Sequence, residues 1–432
     1  MTDVTSGSVA SSAGATLTKG LLLLFAVSNG IFIANMFYNQ PLLVSIGRTF
    51  HVSTQQSTLV FTSAQVGFLL GLALVVPLGD VLVRNRLVPL VAALAGVALL
   101  GATLATNVLS LQVAIAIAGM CSVGGQILVP YAATLADPEH RGKVVGVMQI
   151  GALLGSLLAR TVGGLLAQWH GWRFTYLVAA VLMLILAGVL SRVLPRETAK
   201  TRVRYGSLLR RQIRLFGTYP VLRNRALIGM FIYASFCTVW TGEAFLLEGP
   251  PYHYSIAVVG LVGLLGAPAA LVAMLSGRFA DRGWERRITA GGLLVLLATT
   301  PLLARGSHAV WALIAALAVG YMSIQAVQVQ NQTKVILIDP ESRSGLLADY
   351  TIFYFFGGVL GTVAVGWVWS RSGWAGVVTL ALIFRLSAFL VWLFGELAGR
   401  RERRRGEPSR RPSAALMKRT ALAEPSSRDS NT

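Results

Sequence analysis

Three charged side chains stand deep inside apolar runs of this sequence: Arg160, Glu243 and Arg385. A charge at the centre of a bilayer costs on the order of 2.5–3.5 kcal/mol on insertion scales, so it must meet a partner, a wet cavity or the surface. Arg160 lies 17 residues past Lys143 (160 − 143), and Glu243 lies 18 past Arg225 (243 − 225). At 1.5 Å per helical residue, both sit roughly 25 Å up a core about 30 Å thick. Matched depth and opposite sign predict an ion pair that forms when one side of the protein closes and that a proton on Glu243 would weaken. The competing reading has Glu243 snorkelling to the surface and Arg160 bonding to its own neighbours. No partner for Arg385 can be read from the sequence.

Uncharged polar residues also recur at helical spacing. Ser28, Asn35 and Asn39 fall at i, i+7, i+11, with Tyr38 beside them. Ser122 and Gln126 fall at i, i+4, and Tyr321, Gln325, Gln328 and Gln332 at i, i+4, i+7, i+11. Each set shares one helix face. Such a stripe either lines a ligand cavity or makes interhelical hydrogen bonds worth about 0.6 kcal/mol apiece. Trp240 is placed either to stack on a ligand or to sit at a membrane interface. The 5 histidines and few intramembrane acids form no zinc or nucleophile pattern, and no G-x-x-x-x-G-K-[ST] loop is present. Neither enzyme chemistry nor ATP drive is expected, and no cofactor or metal.

The elements that must hold these residues are membrane spans. The chain has 432 residues, 55% hydrophobic and 12% charged, against about 25% charged in soluble proteins. About twelve apolar runs reach the ~20 residues a bilayer requires. They group as a tail (1–19), a first set of six (20–195), a basic linker (196–224), a second set of six (225–397) and a basic tail (398–432). The net charge of +20 comes from bases between and after the apolar runs. That placement points to inner-face loops beside anionic lipid rather than to nucleic acid. With both termini cytoplasmic, the inner loops hold Arg84 and Arg86, Arg141 and Lys143, the basic linker, Arg286 and Arg287, and Lys334 and Arg343. The outer loops hold only Arg48, Arg173, Arg305 and Arg371. Cys121 and Cys237 lie inside apolar runs and read as buried free thiols.

Two matched landmarks give the chain an internal repeat. Asp137-Pro138-Glu139-His140-Arg141 recurs as Asp339-Pro340-Glu341-Ser342-Arg343, an offset of 202 (339 − 137). Gly79-Asp80, followed by Arg84, recurs as Ala280-Asp281-Arg282, an offset of 201 (281 − 80). Two landmarks at one spacing predict two pseudo-symmetric bundles. Each D-P-E copy reads as a helix start, with Asp as N-cap and Pro at the first helical position.

Six plus six spans, a long central inner loop and an acidic-basic loop after spans two and eight resemble the major facilitator superfamily, over about residues 20–397. The family's loop runs roughly G-x-L-A-D-R-x-G-R-R. The second copy, Gly277-Arg278-Phe279-Ala280-Asp281-Arg282-Gly283, is nearer that pattern than the first, Val76 to Arg86. Ala34-Asn35-Met36-Phe37-Tyr38-Asn39-Gln40-Pro41-Leu42 and Gly151-Ala152-Leu153-Leu154-Gly155 resemble bacterial drug and metabolite exporters of that superfamily. The glycines of span five resemble their antiporter motif, although close packing accounts for them equally in kind.

The resemblance implies an all-α membrane fold and a monomer working by alternating access in the cell membrane. It implies proton-coupled efflux of a small amphipathic compound. An importer on the same fold, or a membrane receptor or scaffold that transports nothing, are the other readings. It implies a central cavity lined by spans one, four, seven and ten, hence by Asn35, Tyr38, Asn39, Ser122, Gln126, Trp240, Tyr321, Gln325 and Gln328. Coupling and gating would fall to Asp80, Arg84, Arg160, Glu243, Asp281 and Arg282. By the same analogy Asp80 should approach the helix after Asp339, and Asp281 the helix after Asp137.

Overall fold

The computed structural model describes residues 17–195, 197, 205–280, 283–339 and 342–404. Among them there is no strand. The spans are α1 (Lys19–Phe50), α2 (Thr54–Val81), α3 (Arg84–Thr103), α4 (Val108–Thr134), α5 (Arg141–His170), α6 (Trp172–Val193), α7 (Pro220–Glu248), α8 (256–280), α9 (Glu285–Arg305) and α10 (Val310–Ile336). A last apolar stretch, Arg343–Ala398, is 56 residues long. Gly373 breaks it at φ 53°, a left-handed conformation that glycine tolerates. The break divides it into α11 (343–372) and α12 (374–398), an arrangement consistent with twelve crossings. Large apolar side chains such as Leu23, Leu90, Val97, Ile185, Leu271 and Phe394 point outward, a surface that suits lipid.

Local signals start several helices. Thr18 Oγ1 accepts the Leu21 N–H at the head of α1. Ser53 with Gln56, and Asn107 with Ser110, form reciprocal capping boxes at α2 and α4. The first D-P-E copy behaves differently from expectation. Pro138–His140 is a 3₁₀ turn, α5 begins at Arg141, and the Asp137 side chain makes no capping bond. Asp137 instead lies 4.0 Å from His140. In the second copy Asp339 accepts the Tyr219 hydroxyl at 3.1 Å, while residues 340 and 341 lie outside the described residues.

Small residues bring the same helix pair together in each half. Cβ atoms on Gly151 and Gly155 of α5 would collide with the carbonyls of Ala26 and Gly30 on α1. Cβ atoms on Gly357 and Gly361 of α11 would collide with the carbonyls of Met230 and Ala234 on α7. Gly155 and Gly357 stand at the repeat offset of 202 (357 − 155). The linker is not plain loop. Tyr205–Thr218 is a helix, with Leu215 buried and Phe216 stacked on Phe353 at 4.1 Å. The Tyr205 hydroxyl donates to the Leu74 carbonyl at 2.7 Å. The apolar edge of Leu215, Phe216 and Tyr219, hidden among bases, is what docks it.

The halves meet along two seams. Between α2 and α11 the Phe68 and Phe355 rings lie 4.6 Å apart, and beside them Gln65 Nε2 of α2 donates to the Tyr233 hydroxyl of α7 at 3.4 Å. Between α5 and α8, Thr161 Oγ1 donates to the Gly260 carbonyl at 3.1 Å. Gly260 and Gly263 there press directly on Arg160.

Candidate functional site

A cavity of about 390 Å³ lies between the halves. The first half supplies Ile33, Phe37 and Gln40 from α1, and Gln149, Leu153, Ser156 and Arg160 from α5. The second supplies Tyr233, Phe236 and Trp240 from α7, Tyr321, Gln325, Gln328 and Gln332 from α10, and Tyr354 and Phe355 from α11. Gln149, Leu153, Ser156 and Arg160 fall at i, i+4, i+7, i+11. That is the spacing of the carboxamide stripe on α10 across the cavity.

The closed end is built around Arg160. Its Nη2 donates to Glu243 Oε1 at 2.6 Å, and the two side chains are 2% and 0% exposed. The guanidinium lies 4.2 Å from the centre of the Trp240 ring, a cation–π contact shielded from water. Trp240 packs on Tyr321 and Phe236 at centroid distances of 5.7 and 5.2 Å. Arg160 Nε and Nη1, Glu243 Oε2 and both ends of the buried Gln40 carboxamide have no protein partner. Lower in the cavity Tyr233 and Tyr354 stack at 4.2 Å, and Tyr354 donates to Gln328 at 3.1 Å. Trp240, Tyr321, Gln325 and Gln328 therefore all line the cavity, and the α7, α10 and α5 residues converge.

The first-half polar stripe packs elsewhere: Asn35, Tyr38, Asn39, Ser122 and Gln126 are not among the residues lining this cavity. Asn35 Nδ2 donates to Ser122 Oγ at 3.2 Å, and the Tyr176 hydroxyl donates to Asn39 Oδ1 at 2.5 Å. Tyr38 is buried against Gly163, and half-buried Gln126 is not among the lining residues. The reason is angular. Ile33, Phe37 and Gln40 share one face of α1, and at about 100° per residue Ser28, Asn35 and Asn39 occupy the opposite one. That opposite face is buried inside the first half.

The charges at the basic-loop end sort similarly. Asp80 stands 3.5 Å from Arg84 of its own half and is 65% exposed. Arg84 also lies 3.7 Å from Glu197, whose other oxygen accepts the Arg84 backbone N–H at 2.8 Å. Glu197 thus caps α3 from the linker, a role its sequence position did not reveal. Asp281 and Arg282 lie outside the described residues. The second half holds a cluster not read from sequence: Arg225 lies 2.7 Å from Glu285, and Arg286 3.0 Å from Glu396. Arg385 is 3% exposed and donates to three hydroxyls, those of Ser235 (3.1 Å), Thr299 (3.2 Å) and Thr300 (2.9 Å).

Two apolar half-bundles around a cavity with a cross-half ion pair define a membrane transporter fold. Residues 24–346 match the family model of the Major Facilitator Superfamily. The chain is 41% identical over 379 residues to the putative uncharacterized transporter YgaY of Escherichia coli strain K12, covering 88% of this chain and 96% of that one. It is 31% identical over 364 residues to the probable transporter SCO4007 of Streptomyces coelicolor, covering 83% and 84% respectively. A solved structure of a bacterial homologue of the human lysosomal transporter Spinster, inward-facing and occupied, matches with a TM-score of 0.71 at 15% identity, over 90% of this chain and 98% of that one. The chain belongs to the major facilitator superfamily. It is a multi-pass membrane transporter, not an enzyme.

Proposed function

We propose that this chain is a secondary active exporter, moving a small amphipathic compound outward in exchange for protons by alternating access. The cavity supports that reading. Its walls come from both halves, it is sealed at the Arg160–Glu243 end, and Gln149 and Gln332 line it toward the basic-loop end. On this reading the basic loops and both termini are cytoplasmic in the cell membrane, and the conformation described is the inward-facing one. One chain supplies both walls, so a monomer suffices. The six-plus-six division at the linker is part of the same proposal. Protonating Glu243 removes the charge that holds Arg160, loosens the outer seal and gives protons a route into the cycle.

Proteoliposomes test the coupling. An imposed pH gradient should drive substrate movement against its own gradient, and collapsing it should stop that movement. Movement indifferent to the pH gradient makes the protein a facilitator, substrate movement in the same direction as the protons makes it an importer, and none at all leaves a scaffold. Reporter fusions test the topology: Thr106 and Gly306 should report outside and Thr201 inside. An outside signal at Thr201 overturns the orientation.

A further inference from the structure

The transported compound can be narrowed by asking which atoms in the cavity wall have nothing to bind. Among the described residues, Arg160 is the single charged one in the cavity lining. It is 2% exposed, and only Nη2 is engaged, leaving Nε and Nη1 buried behind the lining without a protein partner, so that a small turn of the side chain would be needed to present them. Glu243, by contrast, is 0% exposed and does not line the cavity. While ionised, its carboxylate partly offsets the charge that the guanidinium presents to a ligand. The free donors border a wall of flat rings, Trp240, Phe236 and Tyr321, with Tyr233, Tyr354 and Phe355 below. Buried donors left unmade are costly, and a charge-assisted acceptor is the partner that relieves them best.

We propose that the ligand of this cavity is a small organic monoanion, a carboxylate on a flat apolar body, whose head accepts from Arg160 Nε and Nη1 while its body lies against the α7 and α10 rings. This rests on the transporter reading above and names its substrate class. A monoanion follows from the charge count. One guanidinium, already shared with Glu243, has no second cation beside it among the described lining residues to match a dianion. A cation is disfavoured because the charge facing the cavity is positive and the Trp240 face is already taken by Arg160. The volume, about 390 Å³, suits a compound of this size. Gln40, with neither carboxamide end engaged, and Gln325 stand on the same lining and would take hydroxyl or amide substituents. The ligand and Glu243 then share one guanidinium, so an anion on Arg160 and a proton on Glu243 each weaken the same cross-half contact. By linkage, a proton on Glu243 then favours the anion on Arg160, so this geometry by itself carries anion and proton in the same direction, an outcome the proteoliposome assay separates from exchange.

Purified full-length protein in detergent tests the assignment with three shape-matched probes: 2-naphthoate, 2-naphthamide and 2-naphthylmethylamine. Binding by calorimetry should favour the carboxylate by about tenfold or more over both others. Glu243→Gln should raise naphthoate affinity severalfold and leave naphthamide unchanged, because it removes only the competing charge. Arg160→Gln alone leaves Glu243 buried without its cation, so the double variant Arg160→Gln/Glu243→Gln serves as the folded control. It should keep its thermal transition and lose the preference for the carboxylate. Equal binding of the three probes, preference for the amine, or no binding of naphthoate, benzoate or indole-3-acetate at millimolar concentration overturns the anion assignment. So does an unchanged preference in the double variant, and so does a Glu243→Gln protein with unaltered naphthoate affinity. Pumping of a neutral or cationic compound by proteoliposomes in which anions are inert sinks the anion and leaves the transporter reading standing. An absence of any transport, with naphthoate still bound through Arg160, does the reverse.

Discussion

Arg160 and Arg385 are the same residue type, both within spans and both almost fully buried, at 2% and 3% exposure. Their surroundings separate them. Arg160 reaches across the two halves to a carboxylate, lies on an indole ring and leaves two buried nitrogens without a protein partner. Arg385 stays within its own half and donates to the hydroxyls of Ser235, Thr299 and Thr300. These hydroxyls lie on α7 and at α9, so Arg385 ties three helices of one bundle together. A buried charge bonded to fixed dipoles within a rigid body changes nothing when the bodies move. In the proposed cycle a buried charge bonded across them is released each time the seal opens. Placement relative to the seam between the halves, not burial or charge, separates Arg385 from Arg160.

The sharpest way to break that comparison is to delete each charge. Arg160→Met strands Glu243 in a dry interface and should cost about 3–5 kcal/mol, the range for removing one partner of a buried pair. Thermal unfolding in detergent should show it, and vesicle transport should be lost. Arg385→Met leaves only neutral hydroxyls behind. It should change stability by no more than about 2 kcal/mol in either direction, since apolar replacements of buried charges are often close to neutral, and transport should survive. Equal transport defects in the two variants would erase the distinction.

Exchange of charge sharpens it. Arg160→Glu and Glu243→Arg should each impair transport, and the double swap should recover part of it. Paired cysteines at 160 and 243 should cross-link in the sealed state. A swap no better than the worse single variant, together with cysteines that never cross-link, removes the pair from the gate.

A smaller effect separates the two polar faces of α1. Asn35→Ala deletes one interhelical hydrogen bond and should cost about 0.6 kcal/mol, with the transport KM unmoved. Gln40→Ala, on the cavity face of α1, should shift KM severalfold at unchanged stability. The reverse pattern would put the cavity on the wrong face of α1. The smallest expected effect belongs to Asp80→Asn. It should weaken the contact with Arg84 by about 0.3–1 kcal/mol, the scale of an exposed charge near a helix end. Cysteine accessibility from the two membrane faces would detect the shift in conformational balance, and no shift would confine Asp80 to ordinary surface solvation.

Much of the fold was legible because hydrocarbon imposes one simple demand, that spans be apolar, about 20 residues long and punctuated by bases on one side. The apolar runs and the matched landmarks near 202 residues apart follow from that demand and from duplication. Part of the site was legible for a related reason. Arg160 and Glu243 are expensive where they stand, so their matched depth was informative. The carboxamides of α10 were equally conspicuous in an apolar helix.

What the sequence by itself determined was the class of chain, the approximate spans and which residues are anomalous in lipid. It did not determine which anomaly faces which neighbour, because that depends on how each helix is rotated about its axis. Asn35 and Gln40 are five positions apart on α1, yet Asn35 is tied to Ser122 inside its own half and Gln40 lines the cavity. Gln149 and Ser156 were hidden among the glycines of α5 until Gly151 and Gly155 were packed on α1. That contact turns the Gln149–Arg160 face toward the second half. Helix rotation is decided by side chains from other segments, and only the tertiary structure brings them together.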